Sequence, residues 1–149
     1  MRLPAFALFG CGLLPYLFVY GQTTAPTAPK RDYKNVMMAD GWDEGIHFAF
    51  TKFVAQDGAR LDVIHGYCGT VEKADAYFTK RLSQASKVLS QKTIHDKKGA
   101  IVGKRAEVSF GPDGAKKAYG ILWTNGQDFF EIMAVSLQDA RRVERGYRK

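Results

Sequence analysis

Residues 100–136 read AIVGKRAEVSFGPDGAKKAYGILWTNGQDFFEIMAVS, three apolar runs divided by Asp113-Gly114 and Asn125-Gly126. Asp-Gly and Asn-Gly pairs supply the positive φ that tight hairpin turns require, so the segment reads as three antiparallel strands, Ala100 to Phe110, Lys116 to Thr124 and Asp128 to Ser136. If both turns hold two residues, the register places Val102, Ala106, Val108, Phe110, Tyr119, Ile121, Phe130, Ile132 and Ala134 on one core face. The other face then carries Arg105, Glu107 and Glu131 among Ile101, Leu122, Phe129 and Met133. That mixture calls for partial cover by the C-terminal helix, by the segment before residue 45, or by a partner.

Toward the N-terminus, Asp57-Gly58 divides Ile46 to Ala55 from Arg60 to Tyr67, adding two strands. Between the two groups the apolar period changes to that of a helix, with Val71, Ala74, Phe78, Leu82, Ala85 and Leu89 on one stripe. Thr70 is a suitable N-cap, and the absence of Gly and Pro predicts a helix over 71–91. A short second helix is expected from Leu137 to Arg145, opened by Ser136 and Asp139 and closed by Gly146. The expected fold is therefore α+β: a five-stranded antiparallel sheet in the order ββαβββα, packed on one long helix, with a short C-terminal helix.

Residues Leu3 to Gly21 carry no charge, and after Arg2 the next ionic side chain is Lys30. This is the pattern of a secretory signal, with cleavage expected after Gly21 and a mature chain from Gln22. Two alternatives stay open. An uncleaved anchor needs about 20 apolar residues to span roughly 30 Å, and Leu8, Phe9, Gly10 and Cys11 imitate the approach to a lipidated cysteine. Residues 22–39 then form a linker, beginning with the Pro- and Thr-rich stretch 22–31, and 40–149 form a single domain. The expected location is secreted or periplasmic, with no membrane span once the signal is removed.

All 149 residues together are 46% hydrophobic and carry a formal charge of +7, which falls to +6 without the signal because Arg2 is its only charged residue. That composition is globular and favours anionic encounter partners. There is no Gly-rich phosphate loop, Gly-x-Ser-x-Gly elbow, His-Glu-x-x-His helix or Cys-x-x-Cys pair. The sequence therefore calls for no cofactor and no metal. The spacing of His65 and Cys68 could chelate only if the strand ended before Gly66, since residues three apart on a strand point to opposite faces.

One candidate for chemistry remains. With a two-residue Asp57-Gly58 turn, Phe50 faces His65 and His47 faces Cys68, an imidazole beside a thiol, the minimum equipment of a cysteine-dependent enzyme or redox sensor. The competing reading makes Cys68 a small buried hydrophobe and the chain an exported, non-catalytic binding domain. Trp123 opposite Lys104 is the candidate ligand platform, or else a cation–π contact. Candidate partners are an anionic envelope component, a small apolar ligand held between helix and sheet, or another protein. Basic clusters at Lys92, Lys97 and Lys98, at Lys116 and Lys117, and from Arg141 to Lys149 lack the interleaved aromatics that stack bases, which argues against nucleic acid.

Overall fold

The computed structural model describes residues 30–112 and 117–147. Seven strands and two helices follow in chain order: β1 (Tyr33–Asp43), β2 (Ile46–Ala55), β3 (Arg60–Tyr67), α1 (Val71–Ser83), β4 (Lys87–His95), β5 (Ile101–Phe110), β6 (Ala118–Asn125), β7 (Asp128–Ala134) and α2 (Leu137–Tyr147). They form one antiparallel sheet in the order β1-β2-β3-β7-β6-β5-β4. Two meanders, β1 to β3 and β4 to β7, join where β3 pairs with β7, and α1 carries the chain between them.

The sheet therefore has seven strands where five were expected, and the two additions come from stretches read otherwise. Tyr33 to Ala39, expected in the linker, belong to β1. A two-residue turn at Glu44 (φ 50) and Gly45 (φ 74) folds that strand onto β2. Residues 87–91, expected to end the long helix, form β4 together with 92–95. The helix stops at Ser83 with Gln84 as its C-cap, and the Ser86 N–H donates to the Ser109 carbonyl to start the pairing with β5. Val88, Thr93 and Ile94 favour that extended state, and pairing with β5 outweighs the helical spacing of Leu89.

The helices lie on opposite faces of the sheet, so there are two cores. On the α1 side Ala74 and Phe78 pack against Ile46, Phe48, Ala106, Val108, Leu122 and Phe129. On the α2 side Ala140, Leu137 and Val143 pack with Leu61, Val63, Ile121, Trp123, Ile132 and Ala134. Burying a side chain the size of Phe78 contributes about 1.5–3 kcal/mol. The Thr70 and Ser136 caps form as expected, their hydroxyls accepting from the Lys73 and Asp139 N–H groups.

The single expected core face is thus divided. Ala106, Val108 and Phe110 face α1, whereas Ile121, Phe130, Ile132 and Ala134 face α2. The cause is a one-residue register difference. Trp123 pairs with Arg105, and the last pair of the hairpin is Phe110 with Ala118, so β5 and β6 are not joined by a two-residue turn. A slip of one residue moves every side chain of a strand to the other face. The residues Asp113 and Gly114 lie outside the described residues. The β6–β7 turn falls on Gly126 and Gln127, which leaves the relative faces of those two strands as expected.

With this register Arg105 and Glu107 meet α2. Arg105 donates to Glu144 at 2.6 and 2.7 Å and to Glu107 at 2.9 Å, and Arg141 reaches Glu107 at 2.6 and 2.8 Å. The face expected to be polar is thus split: α2 covers Arg105 and Glu107 through ion pairs, whereas Glu131, Leu122 and Phe129 lie on the α1 side, with Glu131 paired to Arg81. Asp139 adds a further anchor, accepting from Arg31 Nη1 at 2.7 Å and from the Tyr33 hydroxyl at 3.1 Å.

Candidate functional site

The α2 side of the sheet carries a row of rings across five strands. Cross-strand pairing places Trp42 of β1 beside His47 of β2 and His47 beside Tyr67 of β3; it also places His65 of β3 beside Phe130 of β7 and Phe130 beside Trp123 of β6. Successive ring centroids are 5.0 Å (Trp42 to His47), 5.6 Å (His47 to Tyr67), 4.0 Å (Tyr67 to His65), 4.2 Å (His65 to Phe130) and 4.8 Å (Phe130 to Trp123). Such contacts contribute about 0.5–1.5 kcal/mol per pair beyond area burial. The inner end of the row is buried at Trp123, beneath the α2 side. The outer end is open, since Trp42 is 75% exposed and Tyr67 47%.

Beside the open end lies a cleft of about 360 Å³, lined among others by Met38, Asp40, His47, Thr51 and Tyr67. His47 Nε2 stands 3.4 Å from Asp40 Oδ2, giving the cleft a polar pair between apolar walls. His65, further along, is held between the Tyr67 and Phe130 rings. Its Nε2 is buried, has no hydrogen-bond partner and lies 3.6 Å from Asp128 Oδ2. Burial pushes this imidazole below its ordinary range, and the Asp128 carboxylate opposes that only in part.

The expected pairing of His47 with Cys68 does not occur. Gln56-Asp57-Gly58 is a three-residue loop closed by the Ala55 N–H to Ala59 carbonyl bond, with Gly58 at φ 79. His47 therefore faces Tyr67, and Phe50 faces Ile64. Cys68 falls on the opposite, α1 side, 3% exposed among Phe48, Ala74 and Phe129. Burial pushes its thiol above the ordinary value, and the Asp128 charge pushes it further the same way. No imidazole adjoins the thiol, and its environment disfavours the thiolate that cysteine chemistry requires.

Trp123 and Lys104 also part company. Lys104 points to the α1 side, where its Nζ donates to Asp75 at 2.8 Å, while Trp123 is sealed against Phe130. The two side chains therefore do not form one platform. His95 sits at the far edge of the sheet on β4, away from His47 and His65, and no group of three metal-ligating side chains occurs among the described residues. The C-terminal basic cluster is partly consumed within the fold, Arg141 anchoring α2 to Glu107 of β5 and Arg142 pairing with Asp139 inside α2. Lys116, Arg148 and Lys149 lie outside the described residues.

Trp42 and Tyr67 were not singled out from the sequence, although a signal was available. Reading Glu44-Gly45 as a hairpin turn sets Trp42 opposite His47, and the row follows from there. No helix among the described residues is long and apolar enough to cross a membrane. Comparison with known protein families, with curated proteins and with solved structures gives no match to this chain.

Proposed function

We propose that this chain is an exported, non-catalytic binding module whose ligand surface is the part of the α2-side face built by β1, β2 and β3. One observation carries the reading: the ring row ends in exposed Trp42 and Tyr67, beside a cleft of about 360 Å³. Large apolar rings left open next to a polar pair are the usual composition of a recognition surface, with the rings giving contact area and the His47–Asp40 pair giving orientation. Export rests on the uncharged segment Leu3 to Gly21 and is part of the proposal.

Two measurements test it. Trp42 becomes the only tryptophan in a Trp123→Phe variant, so its fluorescence can be titrated with fractionated envelope polymers and secreted peptides. A saturable change that is lost on Tyr67→Ala supports the reading, and silence across all fractions rejects it. The N-terminal residue of the protein recovered from its native host tests export: a start near Gln22 supports it, and an intact Met1 in a soluble cytoplasmic fraction rejects it.

A further inference from the structure

The two edges of the sheet differ in how they are protected. On β4 the ladder is interrupted twice, between Val88 and Ser90 and between Ile94 and His95, and the strand carries Lys87 and Lys92, which are the usual devices against unwanted pairing. β1 is longer, at 11 residues, and no strand pairs with its outer edge among the described residues. From Met37 to Asp43 its pairing with β2 is uninterrupted, so its outer edge offers a regular row of backbone groups. That stretch also exposes Met37, Met38 and Trp42, with Met38 at 74%.

Resting on the binding-module reading, we infer that the outer edge of β1 from Met37 to Asp43 takes up an extended segment of a different polypeptide as an eighth, antiparallel strand. Main-chain hydrogen bonds supply affinity in this mode, and alternate side chains supply specificity. On the α2 side Met38, Asp40 and Trp42 face the incoming strand's neighbours, because they pair with Thr51, Ala49 and His47 of β2. An aromatic residue opposite Trp42 extends the ring row by one strand, and an apolar residue suits Met38. The acidic end of the edge, Asp40 and Asp43, selects basic residues in the segment.

A second copy of this chain does not fit as well. A two-fold antiparallel pairing that sets Trp42 against Met38 also sets Asp40 against Asp40 of the second copy, and like charges directly opposite one another are destabilising. Two chains each carrying +6 after loss of the signal add a long-range repulsion.

The test uses the full chain and a synthetic peptide, Lys-Phe-Thr-Lys-Thr-Val-Ile, designed to lie antiparallel with its first lysine opposite Asp43 and its phenylalanine opposite Trp42. Two analogues are N-methylated on alternate residues, so that one loses the amides facing β1 and the other loses those facing solvent. Strand addition predicts that the parent slows hydrogen exchange of the β1 amides directed away from β2, and that one analogue binds at least about tenfold more weakly while the other matches the parent. If both analogues match the parent, side chains alone hold the peptide; the strand-addition inference falls and the binding surface remains. If the parent peptide does not bind, the inference also falls. The same holds if the β1 amides directed away from β2 are already protected in the chain alone, because the edge is then occupied by another part of this chain or by a second copy, and sedimentation separates those two. Tyr67→Ala reports on the open face, two strands inward. Selective loss with one analogue, together with unchanged peptide affinity in Tyr67→Ala, shows that the edge holds the peptide without the face, whose own test is the Trp42 titration with Tyr67→Ala.

Discussion

Arg81 on α1 and Glu131 on β7 form a two-pronged ion pair, Nε to Oε2 at 2.8 Å and Nη2 to Oε1 at 2.5 Å, with the Glu131 side chain 1% exposed. The Arg81 guanidinium also lies over the Phe110 ring at 5.0 Å. A carboxylate placed on the apolar α1 side of the central strands is thereby tied to the helix covering it, and the α1 packing is fixed in one position along the sheet.

Arg81→Ala leaves the Glu131 charge buried without its partner, so it is expected to cost about 3–5 kcal/mol in urea unfolding. The double variant Arg81→Met, Glu131→Leu removes both charges and keeps the volume, and should recover most of that loss. Equal destabilisation in the two variants would show that the pair acts through something other than charge.

Acid should act through Glu107. Its carboxyl is held down to about 2 from the ordinary 4.5 by the Arg141 guanidinium first and Arg105 next, against the opposing effect of burial. Because the folded value lies below the unfolded one, the pairing contributes its full stability above about 4.5 and loses it as pH falls from there through about 2. The contribution is on the order of 3 kcal/mol. Urea midpoints measured against pH should fall across that window in the native chain, and Glu107→Gln should flatten the fall while lowering stability at pH 7.

Cys68 should be silent in the native state. In a Cys11→Ser background, iodoacetamide at pH 8 should label Cys68 only as urea unfolds the chain, with the labelling midpoint on the unfolding midpoint, and His47→Ala should leave the native rate unchanged. Fast native labelling slowed by His47→Ala would revive a cysteine-based activity.

Gly103→Ala should be costly. A Cβ built at Gly103 falls 2.0 Å from the Thr124 carbonyl oxygen, which is backbone and has no rotamer to yield. The same Thr124 accepts the Lys104 N–H on its Oγ1 at 3.0 Å, so the strands cannot separate without losing that bond. The expected loss is about 1–3 kcal/mol by thermal unfolding; a melting temperature equal to that of the native chain would show that β5 and β6 are further apart here.

What the sequence determined by itself was local. Thr70 and Ser136 name their helix starts because a cap needs only one side chain and the next backbone N–H groups. The alternation in 46–55, 60–67 and 101–110 names three strands, and Asn125-Gly126 places a turn between two more, to within a residue. Tertiary structure decided the faces and the edges. A loop of three residues in place of two at Gln56-Asp57-Gly58 sends His47 and Cys68 to opposite sides, and a one-residue difference between β5 and β6 sends Arg105 and Glu107 to α2. Loop length is fixed by how whole strands pack, which short-range pattern does not report. β4 lay hidden because the spacing of Leu82, Ala85 and Leu89 satisfies a helix, and only pairing with β5 draws residues 87–95 into the sheet. Trp42 became part of a surface in the same way: its neighbours in the ring row are supplied by four other strands, and no stretch of chain contains them together.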